Sequence, residues 1–150
     1  MLVAGLGVLF DQLSKSWARL YLSHQSSCSL IPGVLHLTLT TNTGGAFSLG
    51  AGNNLLFTCL VSGLVTLIFI WIVRQNKETP HPQLIELLGM GLLLGGALGN
   101  LLDRLTLGQV TDFLDLEFIS FPVFNLADVF IDLGVVLIFV ATFLKHKGKK

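Results

Sequence analysis

Charge is what this chain has least of: 12% of its 150 residues are Asp, Glu, Lys or Arg, nine acidic and nine basic, for a formal net charge of zero. With 52% hydrophobic residues and a mean hydropathy of +0.76, it falls outside the range of soluble domains and reads as an integral membrane protein. It has no basic or arginine-aromatic patch to hold a polyanion, which argues against nucleic acid as a partner. Two cysteines, Cys28 and Cys59, are too few for a disulfide framework or a metal knuckle; Cys59 lies in an apolar run and reads as a small core residue. The four histidines, His24, His36, His81 and His146, lack metal-ligand spacing. No internal repeat is visible, and no metal or cofactor is expected.

The apolar runs that are present have spanning length. Residues 1–10 lack a basic start, and no small-residue cleavage site follows before Asp11 and Lys15, so a first helix over about 1–22 is read as a retained span. Further helices are expected over about 55–73, 84–102 and 125–144. Asp11 and Lys15, four apart, share a helical face; they either neutralise each other near a helix end or brace an active site. Between the first two helices, Val34 to Thr40 alternates with period two as a short strand. Asn42-Thr43-Gly44-Gly45-Ala46-Phe47-Ser48 follows, either an ordinary turn or a close backbone approach to a ligand. Gly91, Gly95 and Gly99 form a small-residue ladder for close helix packing, and Asn100, Asp103 and Arg104 follow it, on one face by their spacing. Residues 105–124 read as an apolar interfacial loop carrying Asp112, Asp115 and Glu117. Asp128 and Asp132 open the last helix. The expected architecture is an all-α integral membrane protein of four transmembrane helices in one domain over 1–150, with a small extracytoplasmic β-containing region and an interfacial loop.

Orientation follows from the cations near the helix ends. Arg74, Lys77, Lys145, Lys147, Lys149 and Lys150 lie on one side, against Lys15, Arg19 and Arg104 on the other. Both termini are therefore expected in the cytoplasm, and the acids near the outer face. Ionisable groups at membrane depth are costly and mark function. Two carboxylates held close in low dielectric cannot both ionise, so one keeps a proton while the other can activate water, the arrangement for amide hydrolysis without metal. A proton relay of a transporter or channel is the rival use, but these acids gather at one face. A purely structural subunit would suit the glycine ladder and not the polar cluster. Composition does not choose the working pair.

Five blocks in order, Asp11-Gln12-Leu13-Ser14-Lys15, Asn42 to Ser48, Gly95 to Arg104, Val110-Thr111-Asp112-Phe113 and Phe124-Asn125-Leu126-Ala127-Asp128, closely resemble bacterial lipoprotein signal peptidase, or signal peptidase II. The resemblance implies an aspartic endopeptidase of the bacterial inner membrane that cuts diacylglyceryl-modified prolipoproteins before the lipidated cysteine. It also implies sensitivity to globomycin, contact with membrane lipid and work as a monomer. On it, Asp112 and Asp128 match the catalytic pair. Asp103, the rival for the first role, falls in a support position beside Arg104. Asn42, Gly44, Asn100, Arg104, Asn125 and Ala127 match positions that orient substrate or dyad, and Asp11 with Lys15 matches a bracing pair. Two departures stand out: Gly45 replaces the family's usual alanine, and Asp132 adds an acid one turn from Asp128, expected to raise its pKa by like-charge proximity.

Overall fold

The computed structural model describes residues 1–23, 27–44, 52–78 and 82–147. Gly45 to Ser48 of the turn motif, and Lys149 and Lys150 of the tail, lie outside them. Four long helices, α1 (Leu2–Tyr21), α2 (Asn54–Glu78), α3 (Leu84–Leu107) and α4 (Leu126–Lys147), accompany three strands, β1 (Cys28–Ile31), β2 (Leu35–Asn42) and β3 (Val110–Leu116). By length and composition, α2, α3 and α4 are apolar enough to cross a membrane; α1 carries Asp11, Lys15 and Arg19 within its 20 residues.

The polarity of α1 is inverted relative to a helix of a soluble protein. Its buried stripe is Ala4, Gly7, Asp11, Lys15 and Ala18, whereas Leu2, Leu9, Phe10, Leu13 and Leu20 are exposed. Spacings of three and four put small and charged residues on one face and large apolar ones on the other. In lipid, which is as apolar as leucine, a helix would gain nothing by turning its leucines inward. The same logic corrects the expectation for Cys59, which is exposed: among the described side chains of α2 only Ile72 is buried, so an apolar run there marks an outer surface and not a core.

Helix α3 sits at the centre, packed on α4, α1 and α2, and glycines on two of its faces set the distances. A Cβ on Gly95 would come within 2.8 Å of the Ala4 carbonyl oxygen of α1, and one on Gly96 would run into the Ala127 carbonyl oxygen of α4. The ladder at 91, 95 and 99 thus serves α1. A second set, Gly89 and Gly96 with Gly134 of α4, seats α4.

Helix α3 ends at Gly108, which adopts the left-handed conformation with φ 71° that glycine tolerates without strain, and the chain turns directly into β3. The sheet is antiparallel in the order β1-β2-β3, with Thr40 opposite Asp112 and Asn42 opposite Val110. Residues 110–116 were expected within a loop. They form a strand whose first four residues are all buried, and a strand covered on both faces loses the period-two signature that betrays a half-exposed one. Phe124 then pairs with Leu114, exchanging backbone hydrogen bonds of 2.8 and 2.9 Å. This return brings the start of α4 beside Asp112.

Candidate active site

The first turn of α4 is built by a reciprocal cap. Asn125 precedes the helix, its Oδ1 accepts from the Asp128 N–H at 3.1 Å, and the Asp128 Oδ2 accepts from the Asn125 N–H at 3.1 Å. Each side chain satisfies an amide that the helix leaves unpaired. The other side of the Asn125 amide, fully buried, donates from Nδ2 to Asp112 Oδ1 at 2.6 Å and to Asn100 Oδ1 at 3.1 Å. Asp112 and Asp128 therefore flank one asparagine. Asn42 of β2 also hydrogen-bonds Asp112, and Asn100 of α3 donates to Asp128 Oδ1 at 2.8 Å.

Burial pushes the Asp112 carboxyl up to about 7, the hydrogen bond from Asn125 opposes this, and the neighbouring charge of Asp128 adds to it. A carboxyl group in this position gives up its proton near neutral pH, the range in which a general acid or base works best.

Beneath the two carboxyls lies a buried ionic cluster. Lys15 Nζ, with no solvent exposure, reaches Asp11 Oδ2 at 2.9 Å, Asp103 Oδ2 at 3.6 Å and Asn100 Oδ1 at 2.8 Å. Asp11 spends its second oxygen on the Ala127 N–H at 3.0 Å, another free amide of the α4 terminus. A Cβ on Gly99 would come within 2.5 Å of Asp11 Oδ2, so only glycine admits this carboxylate. Asp103 Oδ2 accepts from the Thr111 N–H at 3.0 Å and so holds the backbone of β3 one residue before Asp112.

Every residue expected at the site is thus brought to the junction of α1, α3, β3 and α4, with Asn42 and Gly44 arriving on β2 and just after it. Asp103 does not partner Arg104: it turns to Lys15 and Thr111, while Arg104 Nη2 donates to the Gly44 carbonyl at 2.7 Å and its guanidinium lies 5.7 Å from the Phe57 ring centre. The Nε and Nη1 of Arg104 are buried without a hydrogen-bond partner among the described residues. Asp132, one turn further along α4, is exposed.

Three contributors were missed. Gln12 Nε2 lies 3.0–3.1 Å from Asp11, Asp103 and the Gly99 carbonyl. Arg19 donates to Thr111 Oγ1 at 2.8 Å and lies 4.0 Å from Asp103. The position of Arg19, four after Lys15, was the available signal; nothing comparable distinguished Thr111. Among the described residues, no group of three or more His, Cys, Asp or Glu is placed to hold a metal ion.

Residues 3–144 match the family described as Signal peptidase (SPase) II. A lipoprotein signal peptidase of Nostoc punctiforme is 42% identical over 144 residues, covering 96% of this chain and 89% of its own. One from Latilactobacillus sakei is 38% identical over 150 residues, covering 97% and 95%. A solved bacterial membrane enzyme shares the fold with a TM-score of 0.81 at 29% identity, over 99% of this chain and 90% of its own. A chain matched along nearly its whole length in this way, with Asp112, Asp128 and the residues that hold them gathered at one junction of a helical membrane fold, belongs to the signal peptidase II family of peptidases.

Proposed function

We propose that this protein is an intramembrane aspartic endopeptidase that removes the signal peptide from diacylglyceryl-modified prolipoproteins, cutting before the lipidated cysteine with water activated by Asp112 and Asp128. The observation that carries this reading is the shared hydrogen bonding of both carboxyls to Asn125. Asp112, with its carboxyl raised to about 7, keeps the shared proton. Asp128, whose two oxygens each face an N–H donor at a helix N-terminus, serves as the carboxylate. Asp128 takes a proton from water, the resulting hydroxide attacks the scissile carbonyl, and Asp112 hydrogen-bonds the developing oxyanion. Collapse of the tetrahedral intermediate breaks the C–N bond as the proton passes to the leaving amine. Arg104 offers its free N–H groups to a substrate carbonyl. Asn42, Gly44, Asn100, Asn125 and Ala127 orient substrate and dyad, and Asp11, Lys15 and Asp103 brace them.

In this reading residues 1–150 form one domain, α1 is the fourth span and both termini are cytoplasmic in the bacterial inner membrane. Asp11 and Lys15 are turned into the bundle with no exposure, so α1 presents an apolar surface to lipid despite its composition. The sheet and the loop before α4 lie along the outer membrane surface, where Leu30, Ile31, Val34, Phe118, Ile119 and Phe121 are exposed. The protein works as a monomer in contact with lipid, and globomycin blocks it.

The test is cleavage of a lipidated precursor by the purified protein. Asp112→Asn and Asp128→Asn are each expected to lower kcat by about 10²–10⁴-fold, the range for loss of a general acid or base, with folding intact. Parent-like rates in both variants would remove the dyad.

A further inference from the structure

Helix α2 is the most apolar of the spans, with a mean hydropathy of 2.5 over the most apolar 18 residues within Asn54–Gln75, yet its outer two turns carry polar side chains on the half-buried face. Asn54 and Thr58, four apart, flank Phe57, whose ring lies against Arg104. The Asn54 Nδ2 reaches the Arg104 carbonyl at 3.4 Å. Among the described residues, the buried Asn54 Oδ1 and Thr58 Oγ1 have no hydrogen-bond partner, nor have Nε and Nη1 of Arg104. A helical threonine ordinarily returns its hydroxyl to the carbonyl four residues back. Thr66, Thr106 and Thr142 do so, at 2.8, 2.7 and 2.9 Å, and Thr58 does not.

Unpaired polar atoms at membrane depth are costly and call for a partner. Resting on the peptidase reading above, the reaction itself supplies one. A peptide bond in a membrane-inserted segment is accessible only where the segment is unwound, and unwinding frees N–H and C=O groups that lipid cannot satisfy. The dyad engages the carbonyl being cut. The backbone on the N-terminal side of that bond leads back into the membrane, the direction in which α2 runs from Asn54.

We propose that Asn54 and Thr58, beside the free N–H groups of Arg104, form a strip that hydrogen-bonds the unwound backbone of the substrate just before the scissile bond. Asn54 Oδ1 accepts from a peptide N–H, and the Thr58 hydroxyl donates to a carbonyl or accepts from an N–H. The two are substrate-positioning residues outside the acid–base chemistry.

The experiment uses the purified full chain and synthetic diacylglyceryl-cysteine precursor peptides in which single amides before the scissile bond are replaced by esters, which removes one N–H at a time. At one position the ester peptide is expected to be cut with kcat/KM about 3–10-fold lower, the worth of one hydrogen bond. Asn54→Ala slows the all-amide peptide by a similar factor and slows that ester peptide no further. Thr58→Val slows the all-amide peptide through a raised KM, whereas Thr66→Val, whose hydroxyl is already bonded within the helix, leaves the rate unchanged. A flat ester scan, or equal slowing of amide and ester peptides by Asn54→Ala, overturns the proposal; the scan needs no variant and so decides even where a substitution harms folding. Failure of the parent to cut any all-amide peptide is a separate outcome that removes the peptidase reading and this strip with it.

Discussion

Lys15 carries its charge with no solvent exposure, and Asp11, Asp103 and Asn100 all draw on it. Removing one member of a buried ionic set leaves the others uncompensated, at about 3–5 kcal/mol. Lys15→Met is therefore expected to lower stability by that amount in thermal unfolding in detergent, and to lower activity with it because Asp11 also holds the Ala127 amide. Asp112 makes stability depend on pH in a direction set by its carboxyl being raised from 3.8 to about 7. Between those values the folded state binds the proton and the unfolded state does not, so stability falls as pH rises from about 4 to about 7 and levels off above. The slope from this residue is at most about 1.4 kcal/mol per pH unit, and unfolding midpoints measured across that range should lose this component in Asp112→Asn. Activity should decline above about pH 7 in the parent as the same proton is lost.

At the level of elements, the contact between α3 and α4 positions Asp128, because Gly96 lies against the carbonyl of Ala127, the residue before it. Gly96→Ala forces the helices apart at that point. A loss of about 1–3 kcal/mol, the usual cost of overpacking, is expected in thermal unfolding, together with a fall in kcat larger than any change in KM. Gly63→Ala in α2 is the contrasting case, since a Cβ there meets nothing within 4 Å; it should be neutral or stabilising by up to about 1 kcal/mol. At the far end of the helices Glu86, nearly buried, accepts from Gln75 at 3.0 Å and pairs with Lys145, tying α2, α3 and α4 together there. The spacing of Gly91, Gly95 and Gly99 announced one close contact. It did not announce the second at Gly89 and Gly96, because periodicity assigns residues to a helix face and does not say which neighbour covers that face.

For the whole molecule, the two cysteines are natural reporters of the proposed topology: Cys28 is exposed in β1 and Cys59 on the lipid-facing surface of α2. A membrane-impermeant maleimide added to intact cells stripped of their outer layers should label Cys28 and spare Cys59. Labelling of Cys28 only after the membrane is opened would invert the orientation. Chain order and composition by themselves determined a membrane protein with four helices, an Asp11–Lys15 pair on one face and the blocks around Asp112 and Asp128, since apolar length and local spacing are properties of contiguous residues. Tertiary structure alone decided that Asn125 stands between the two acids, that Asp103 turns to Lys15 and Thr111, and that Asp132 is exposed. Those outcomes depend on how α3, β3 and α4 meet, and a hydrogen bond between residues far apart in the chain leaves no periodic trace along it.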